Sequence, residues 1–231
     1  MKKFSLENDQ PEKLPSSNDE SQMNKFSIPD WLKWGREIQA LAQTGLHYEK
    51  NDFQRERLLR FQAIASEIVA EYSNLDKDAL VDMYGQQIGY ATPRVDVRAA
   101  VFREGELLLV RERMDGGWTM PGGWADVGEL PSKSAEREVL EEAGFIVKCR
   151  KVIGVYDANR IGPLEVFHAY KIVFLCDLQG GEAQTSNETT AIGFFAFDDL
   201  PAPLSGERTH PRHIQDAFSA NKDEYWQTVF D

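Results

Sequence analysis

The sequence predicts an α+β protein: a layered α/β/α domain over residues 95–231, preceded by a small helical hairpin at 27–75. Three observations predict it. Before residue 75, apolar residues recur at three- and four-residue steps, the period of helices. From Val95 they alternate singly, as in a half-buried strand. The later strand-like runs are joined mostly by short turns, with two helical stretches among them, which is the pattern of a layered α+β domain.

Residues 1–26 are rich in Ser, Asn, Asp, Glu, Lys and Pro and read as a disordered tail. Trp31, Trp34, Ile38, Leu41 and Ala42 mark a first helix, with Pro29 suited to its first turn and Gly45 to its stop. Phe53, Leu58, Phe61, Ile64, Ala65 and Ile68 mark a second, capped by Asn51 or Asp52. Two helices alone bury little surface, so this unit is expected to pack on the rest of the chain or on another copy, as a homodimer. Residues 76–94 are expected to be a linker, with one helical turn around Leu80, Met83 and Tyr84. Val95 to Val101, Leu107 to Val110, Val152 to Tyr156, Val166 to Leu175 and Gly193 to Phe197 read as strands, with Gly180 and Gly181 separating the last two. Helices are expected at about 131–143 and 211–220.

The net charge of -12 argues against a stable nucleic-acid partner, which would call for a basic face. It leaves room for a phosphorylated ligand, because a bound divalent metal can supply local positive charge. Cys149 and Cys176 lack zinc-ligand spacing and read as free thiols. No apolar run approaches the ~18 residues of a membrane span, and the first residues show no secretory core; a cytoplasmic protein is expected.

The segment from Gly123 to Phe145 carries the chemistry. Pro131 can open a helix there and Gly144 can end it. At ~100° per residue, Arg137, Glu141, Glu138 and Glu142 fall within roughly 140° of one another, while Ala135, Val139 and Ala143 occupy another edge. Glu138 and Glu142 are one turn apart and point at the same spot. Like charges so placed, near the helix end that disfavours anions, bring a bare helix no stability. A hard divalent cation resolves the arrangement; a solvated acidic face is the alternative. Just before it, Trp118-Thr119-Met120-Pro121-Gly122-Gly123-Trp124 offers two glycines that let backbone approach a metal or phosphate.

Gly123, Glu129, Arg137, Glu138, Val139, Glu141, Glu142, Gly144 and Phe145 match, without a gap, the signature of the Nudix hydrolases: Gly, five residues, Glu, seven residues, Arg-Glu-apolar-any-Glu-Glu-any-Gly-apolar. Tyr90 to Arg98 and the helical region resemble a Nudix subgroup that includes ADP-ribose and CDP-choline pyrophosphatases. The resemblance implies a Nudix-type α/β/α sandwich around a mixed sheet. It also implies Mg²⁺-dependent cleavage of the diphosphate bridge of a nucleoside diphosphate derivative, with Mn²⁺ as an alternative metal. By position, Glu138 and Glu142 would be the main metal ligands, Glu141 a further ligand or the support of a bound water, and the Gly122 carbonyl another ligand. Arg137 and Glu129 would form a structural ion pair alongside the motif glycines Gly123 and Gly144. Leu130 departs from the usual capping Ser or Thr before the helix proline.

A general base in this family often lies on a loop outside the motif, and Glu188 is the candidate, with a solvated loop glutamate as the alternative. Arg98, Arg111, Arg113, Trp118 and Asp126 are the candidate substrate contacts. Arginine suits phosphate through its planar donor fork; Trp118 suits base stacking or core packing equally. The rival functions are a catalytically silent nucleotide-sensing module, which the complete motif disfavours, and nuclease activity on RNA ends, which the acidic balance disfavours.

Overall fold

The computed structural model describes residues 28–158, 166–206 and 208–230. The expected tail at 1–26 lies outside them.

Helices α1 (Asp30–Tyr48) and α2 (Asp52–Glu71) form the expected hairpin. Asn51 caps α2, its side chain accepting from Gln54 N–H at 3.2 Å. Pro29 stands one residue earlier than expected, at the cap of α1. Gly45 does not stop α1. It lies inside the helix, where a Cβ would meet the Leu58 side chain at 2.9 Å; the absence of a side chain lets the two helices close on each other.

The buried face of the hairpin also differs from the bulky apolar stripe. Leu32, Gly35, Gln39 and Ala42 of α1 meet Gln62, Ala65, Ser66 and Val69 of α2, and Gln39 satisfies itself on Gln43 at 2.8 Å. Small residues and paired amides permit a closer seam than Trp and Phe would. Trp34, Leu41, Phe53 and Phe61 consequently face outward.

The expected linker holds more than one turn. Helix α3 (Lys77–Gly85) is capped by Asp76, which accepts from Ala79 N–H at 2.9 Å. Leu80 and Tyr84 bury against Leu32, Ala65 and Val69, so tertiary packing extends the turn into a helix.

Among the described residues, eight strands form one mixed sheet. They are β1 (Arg94–Arg103), β2 (Glu106–Glu112), β3 (Trp118–Thr119), β4 (Gly122–Trp124), β5 (Phe145–Asp157), β6 (Ala169–Gly181), β7 (Thr189–Phe195) and β8 (Val229–Phe230). The main path runs β3-β2-β1-β6-β5-β8, with β4 on β1 and β7 on β2. β1 runs parallel to β6 and antiparallel to β2 and β4. Helix α4 (Pro131–Ala143) covers one face and α5 (Pro211–Lys222) the other.

The single-residue alternation builds both layers. Val97, Ala99 and Val101 of β1, with Leu108 and Val110 of β2, pack on Ala135, Val139 and Ala143 of α4. Ala100, Leu107 and Leu109 pack with Ile214, Ala217 and Phe218 of α5. This is the expected α/β/α sandwich.

Several boundaries moved. β5 begins directly after Gly144, not at Val152, because Lys148, Arg150 and Lys151 interrupt its apolar pattern while the ladder to β6 continues with register shifts. Gly180 and Gly181 belong to the end of β6, paired with Ile146 and Phe145, instead of separating strands. β7 starts at Thr189, and Phe197 falls in a short 3₁₀ turn. Among the described residues no helix is long and apolar enough to cross a membrane.

Candidate active site

The site is built where β4 crosses β1 and faces α4. Gly122 adopts φ 149°, in the region that favours glycine, and a Cβ there would collide with Val97 O and Arg98 Cα. That close crossing points the Gly122 N–H at Glu142, 3.0 Å from Oε2. A Cβ on Gly123 would stand 3.2 Å from the Glu138 carboxylate. The two glycines therefore bring main chain against both carboxylates that lie one turn apart on α4.

Helix α4 keeps its expected ends. Pro131 occupies the first turn, Gly144 closes the helix in left-handed conformation, and Leu130 provides no side-chain cap. Arg137 gathers the acidic edge: its guanidinium lies 3.2 Å from Glu129, 2.9 Å from Glu138, 2.8 Å from Glu141 and 3.5 Å from Asp126. The Arg137–Glu129 pair ties the loop before α4 to the helix.

These residues line a cleft of about 490 Å³. Gly122, Gly123, Glu138, Glu141 and Glu142 form one wall with Arg137 and Asp126. Glu188, with Ser186 and Asn187, forms another, and Trp124 and Arg208 complete the lining. Glu188 is presented by the turn before β7. Its N–H donates to Ser186 Oγ at 3.1 Å, and its carbonyl accepts from Arg113 N–H at 2.8 Å.

Four expected substrate contacts lie elsewhere. Arg98 is buried, 1% exposed, and its guanidinium is spent on Asp96 at 2.8 Å and on the Met120 carbonyl at 3.3 Å. Arg111 Nε donates to Gly116 O at 2.8 Å, and Arg113 Nε donates to Asn187 O at 2.8 Å, so both hold loops. Trp118 packs edge-on against Phe195 with ring centroids 5.0 Å apart, the core option for that residue. Asp126 does reach the cleft.

Sequence reasoning passed over Glu112, Arg208 and Trp124. Glu112 ends β2 and is 3% exposed. The signal for it was the alternation itself, since Leu108, Val110 and Glu112 share one face of the strand. Its Oε1 lies 3.4 Å from Arg208 Nε but accepts no hydrogen bond from any described residue. Arg208 stands in a loop without periodicity, so no pattern marks it. Trp124 is half-exposed, with the Arg94 guanidinium 5.9 Å from its ring.

The electrostatics are those of a carboxylate cluster short of positive charge. Burial pushes the Glu142 carboxyl up to about 7, although Arg98 and the Gly122 N–H oppose the shift. Burial likewise raises Glu138, against Arg137, and Glu112, against Arg208 and Arg98. The carboxylate oxygens of Glu138 and Glu142, one turn apart beside the Gly122–Gly123 main chain, form an oxygen donor set that fits a hard divalent cation. Among the described residues no three Asp, Glu, His or Cys side chains gather into a ready-made cage.

Comparison with known proteins decides the family. The model of the NUDIX domain matches residues 92–217, which holds the whole carboxylate site. The chain belongs to the Nudix family. A second model, described as a UDP-X-like N-terminal oligomerisation domain, matches 29–84, the three-helix unit ahead of the Nudix domain. A putative ADP-ribose pyrophosphatase, YjhB, of Bacillus subtilis is 36% identical over 87% of this chain and 97% of its own length. The crystal structure of a UDP-X diphosphatase covers 87% of this chain and 98% of its own at 32% identity, with a TM-score of 0.56. That of an ADP-ribose pyrophosphatase from Streptococcus suis covers 61% of this chain and all of its own at 41% identity, also with a TM-score of 0.56. The protein is a Nudix pyrophosphohydrolase with the Nudix sandwich and a helical N-terminal unit.

Proposed function

We propose that this Nudix enzyme hydrolyses the diphosphate bridge of a nucleoside diphosphate joined to a second group, of the ADP-ribose, CDP-choline or UDP-linked kind. The products are a nucleoside monophosphate and a phosphorylated remainder. The observation that carries the reading is geometric: Glu138 and Glu142, one turn apart on α4, both stand against the Gly122–Gly123 strand and line one cleft with Glu188.

Glu138, Glu142 and the Gly122 carbonyl are assigned to hold Mg²⁺, or Mn²⁺, with Glu141 as a further ligand once Arg137 releases it. When bound, such a cation supplies neutralisation of the diphosphate and a more acidic water. The chain's own residues do the rest. Glu188, which lines the cleft, is assigned to accept a proton from the attacking water, as the P–O bond of the bridge breaks and the leaving phosphate departs in line. Arg113 holds the Glu188 loop, so its role is positioning. Arg208 offers a guanidinium fork to the substrate phosphates, steadied by Glu112 behind it. Trp124, half-exposed in the cleft lining, is assigned the stacking role in place of the core-packed Trp118.

The test is a product assay with ADP-ribose, CDP-choline, a UDP-sugar and nucleoside triphosphates, with Mg²⁺ and with EDTA. Mononucleotide release from a nucleoside diphosphate derivative, lost in EDTA, is the expected result. Turnover unaffected by EDTA, or confined to triphosphates, refutes the assignment.

The chain is further proposed to act as a homodimer through its helical unit. Trp34, Leu41 and Tyr48 recur every seven residues and are 57%, 65% and 67% exposed, one apolar stripe on α1. The match of residues 29–84 to an oligomerisation domain supports association through this unit. Light scattering should give twice the chain mass, and Leu41→Glu should return it to one chain. A monomeric wild type, or a variant that still dimerises, defeats the proposal.

A further inference from the structure

The sheet under α4 holds a pair of thiols that the hydrolase chemistry does not use. Cys149 of β5 and Cys176 of β6 are directly opposed in the antiparallel ladder, and their sulfurs lie 3.0 Å apart. Both are free thiols; Cys149 is partly exposed and Cys176 is 3% exposed. The backbone suits a bond between them. Cys149 N–H donates to Glu136 Oε1 at 3.0 Å and so is not spent on the Cys176 carbonyl. The two are Cα partners just before a β5–β6 register shift, and antiparallel partners have Cα atoms ~4.5–5.5 Å apart, inside the span a disulfide bridges.

We propose that Cys149 and Cys176 form a reversible cross-strand disulfide when the protein meets a hydroperoxide. This inference is independent of the substrate assigned above. Cys149 is the thiol an oxidant reaches. Its thiolate attacks the peroxide; an S–O bond forms, the O–O bond breaks, and the departing oxygen leaves as water or alcohol. The resulting sulfenic acid faces Cys176. The Cys176 sulfur then attacks the Cys149 sulfur, the S–S bond forms, the S–O bond breaks, and hydroxide leaves with the Cys176 proton as water. Two thiols lose two electrons and the peroxide gains them. The hydrogen bond to Cys149 and burial both push the Cys176 thiol up, which suits a resolving thiol that reacts only with its neighbour and not with external oxidants.

The pair is also linked to the catalytic helix. Cys149 Sγ donates to the Ser132 carbonyl at 3.3 Å, and Glu136 holds the Cys149 main chain, both from α4. Oxidation removes the S–H donor that Ser132 now uses.

The test uses the full chain, reduced, then exposed to graded hydrogen peroxide and quenched with a maleimide in denaturant. The expected product is lighter by two hydrogens, takes up no maleimide, and yields a peptide joining Cys149 to Cys176. Dithiothreitol should restore two maleimide additions. In Cys176→Ser, a dimedone adduct should appear on Cys149. Two free thiols after peroxide, an intermolecular disulfide, or terminal oxidation of Cys149 with Cys176 free would each overturn the proposal. The wild-type result decides the matter even if the variant folds poorly.

Discussion

Glu142→Gln is expected to lower kcat by at least about 100-fold, with KM changed far less and the fold retained. Even outer-shell partners of a metal cost roughly 10–100-fold when removed, and Glu142 sits in the shell itself on the present assignment. The substitution keeps the shape and leaves an amide oxygen to accept the Gly122 N–H now 3.0 Å from the carboxylate. What it removes is charge. In metal-free protein that removal is expected to be stabilising. Burial holds the Glu142 carboxyl at about 7, above its unfolded value of ~4.3. A carboxyl raised on folding binds its proton more tightly in the native state, so stability falls as pH rises between those two values. The penalty above pH ~7 is on the order of 3–4 kcal/mol. Gln carries no such penalty, so metal-free Glu142→Gln should melt higher than wild type at pH 8 and equally at pH 4. Mg²⁺ should raise the melting temperature of the wild type and leave the variant nearly unmoved. Wild-type turnover by the variant, or an unchanged response to Mg²⁺, would remove Glu142 from the metal site.

The catalytic helix was legible because its signals are local. Pro131 and Gly144 fix its ends, and one helical turn fixes the convergence of Glu138 and Glu142. The sheet was legible wherever its residues alternate cleanly, as in β1 and β2. β4 was not, because three residues carry no period, and its place depends on the backbone crossing at Gly122. The start of β5 was hidden by lysines and an arginine on its open face. The hairpin was placed correctly but faced wrongly. Its seam is made of Gly, Ala, Ser and Gln, whose small volume or paired amides allow close approach, and no apolar count marks them. Arg98 shows the general limit. Its residue type suits phosphate, and the alternation of β1 put it on the polar face. In a three-layer fold, however, both faces of a central strand are covered, so that polar face is interior.

Asp96→Asn, in consequence, should cost about 3–5 kcal/mol of stability, the usual loss when one member of a buried ion pair is removed. Asp96 is 6% exposed and faces two cations, with Arg98 at 2.8 Å and Lys171 at 3.1 Å. Burial alone would raise its carboxyl, yet Arg98 and Lys171 outweigh burial and hold it below the ordinary range. A carboxyl lowered on folding contributes stability above its unfolded value of ~3.9, and that stability is lost as pH falls through the lower folded value. Asn keeps the volume but removes the carboxylate that both buried cations face. Arg98 also opposes the rise of Glu142 from beneath the cleft, so its anchorage matters to the site's field as well as to packing. Urea unfolding at pH 7 should show the loss as a lower midpoint with an unchanged slope. Replacing all three together, Asp96→Asn with Arg98→Met and Lys171→Met, should recover much of it, because both buried cations leave with their carboxylate, at the cost of the charge that Arg98 sets against Glu142 and Glu112. If the single variant were as stable as wild type, the triad would have to be hydrated, contrary to its burial. If the triple variant were less stable than the single one, the buried cations would contribute more by their remaining hydrogen bonds, to the carbonyls of Met120 and Arg208, than they cost by their charge.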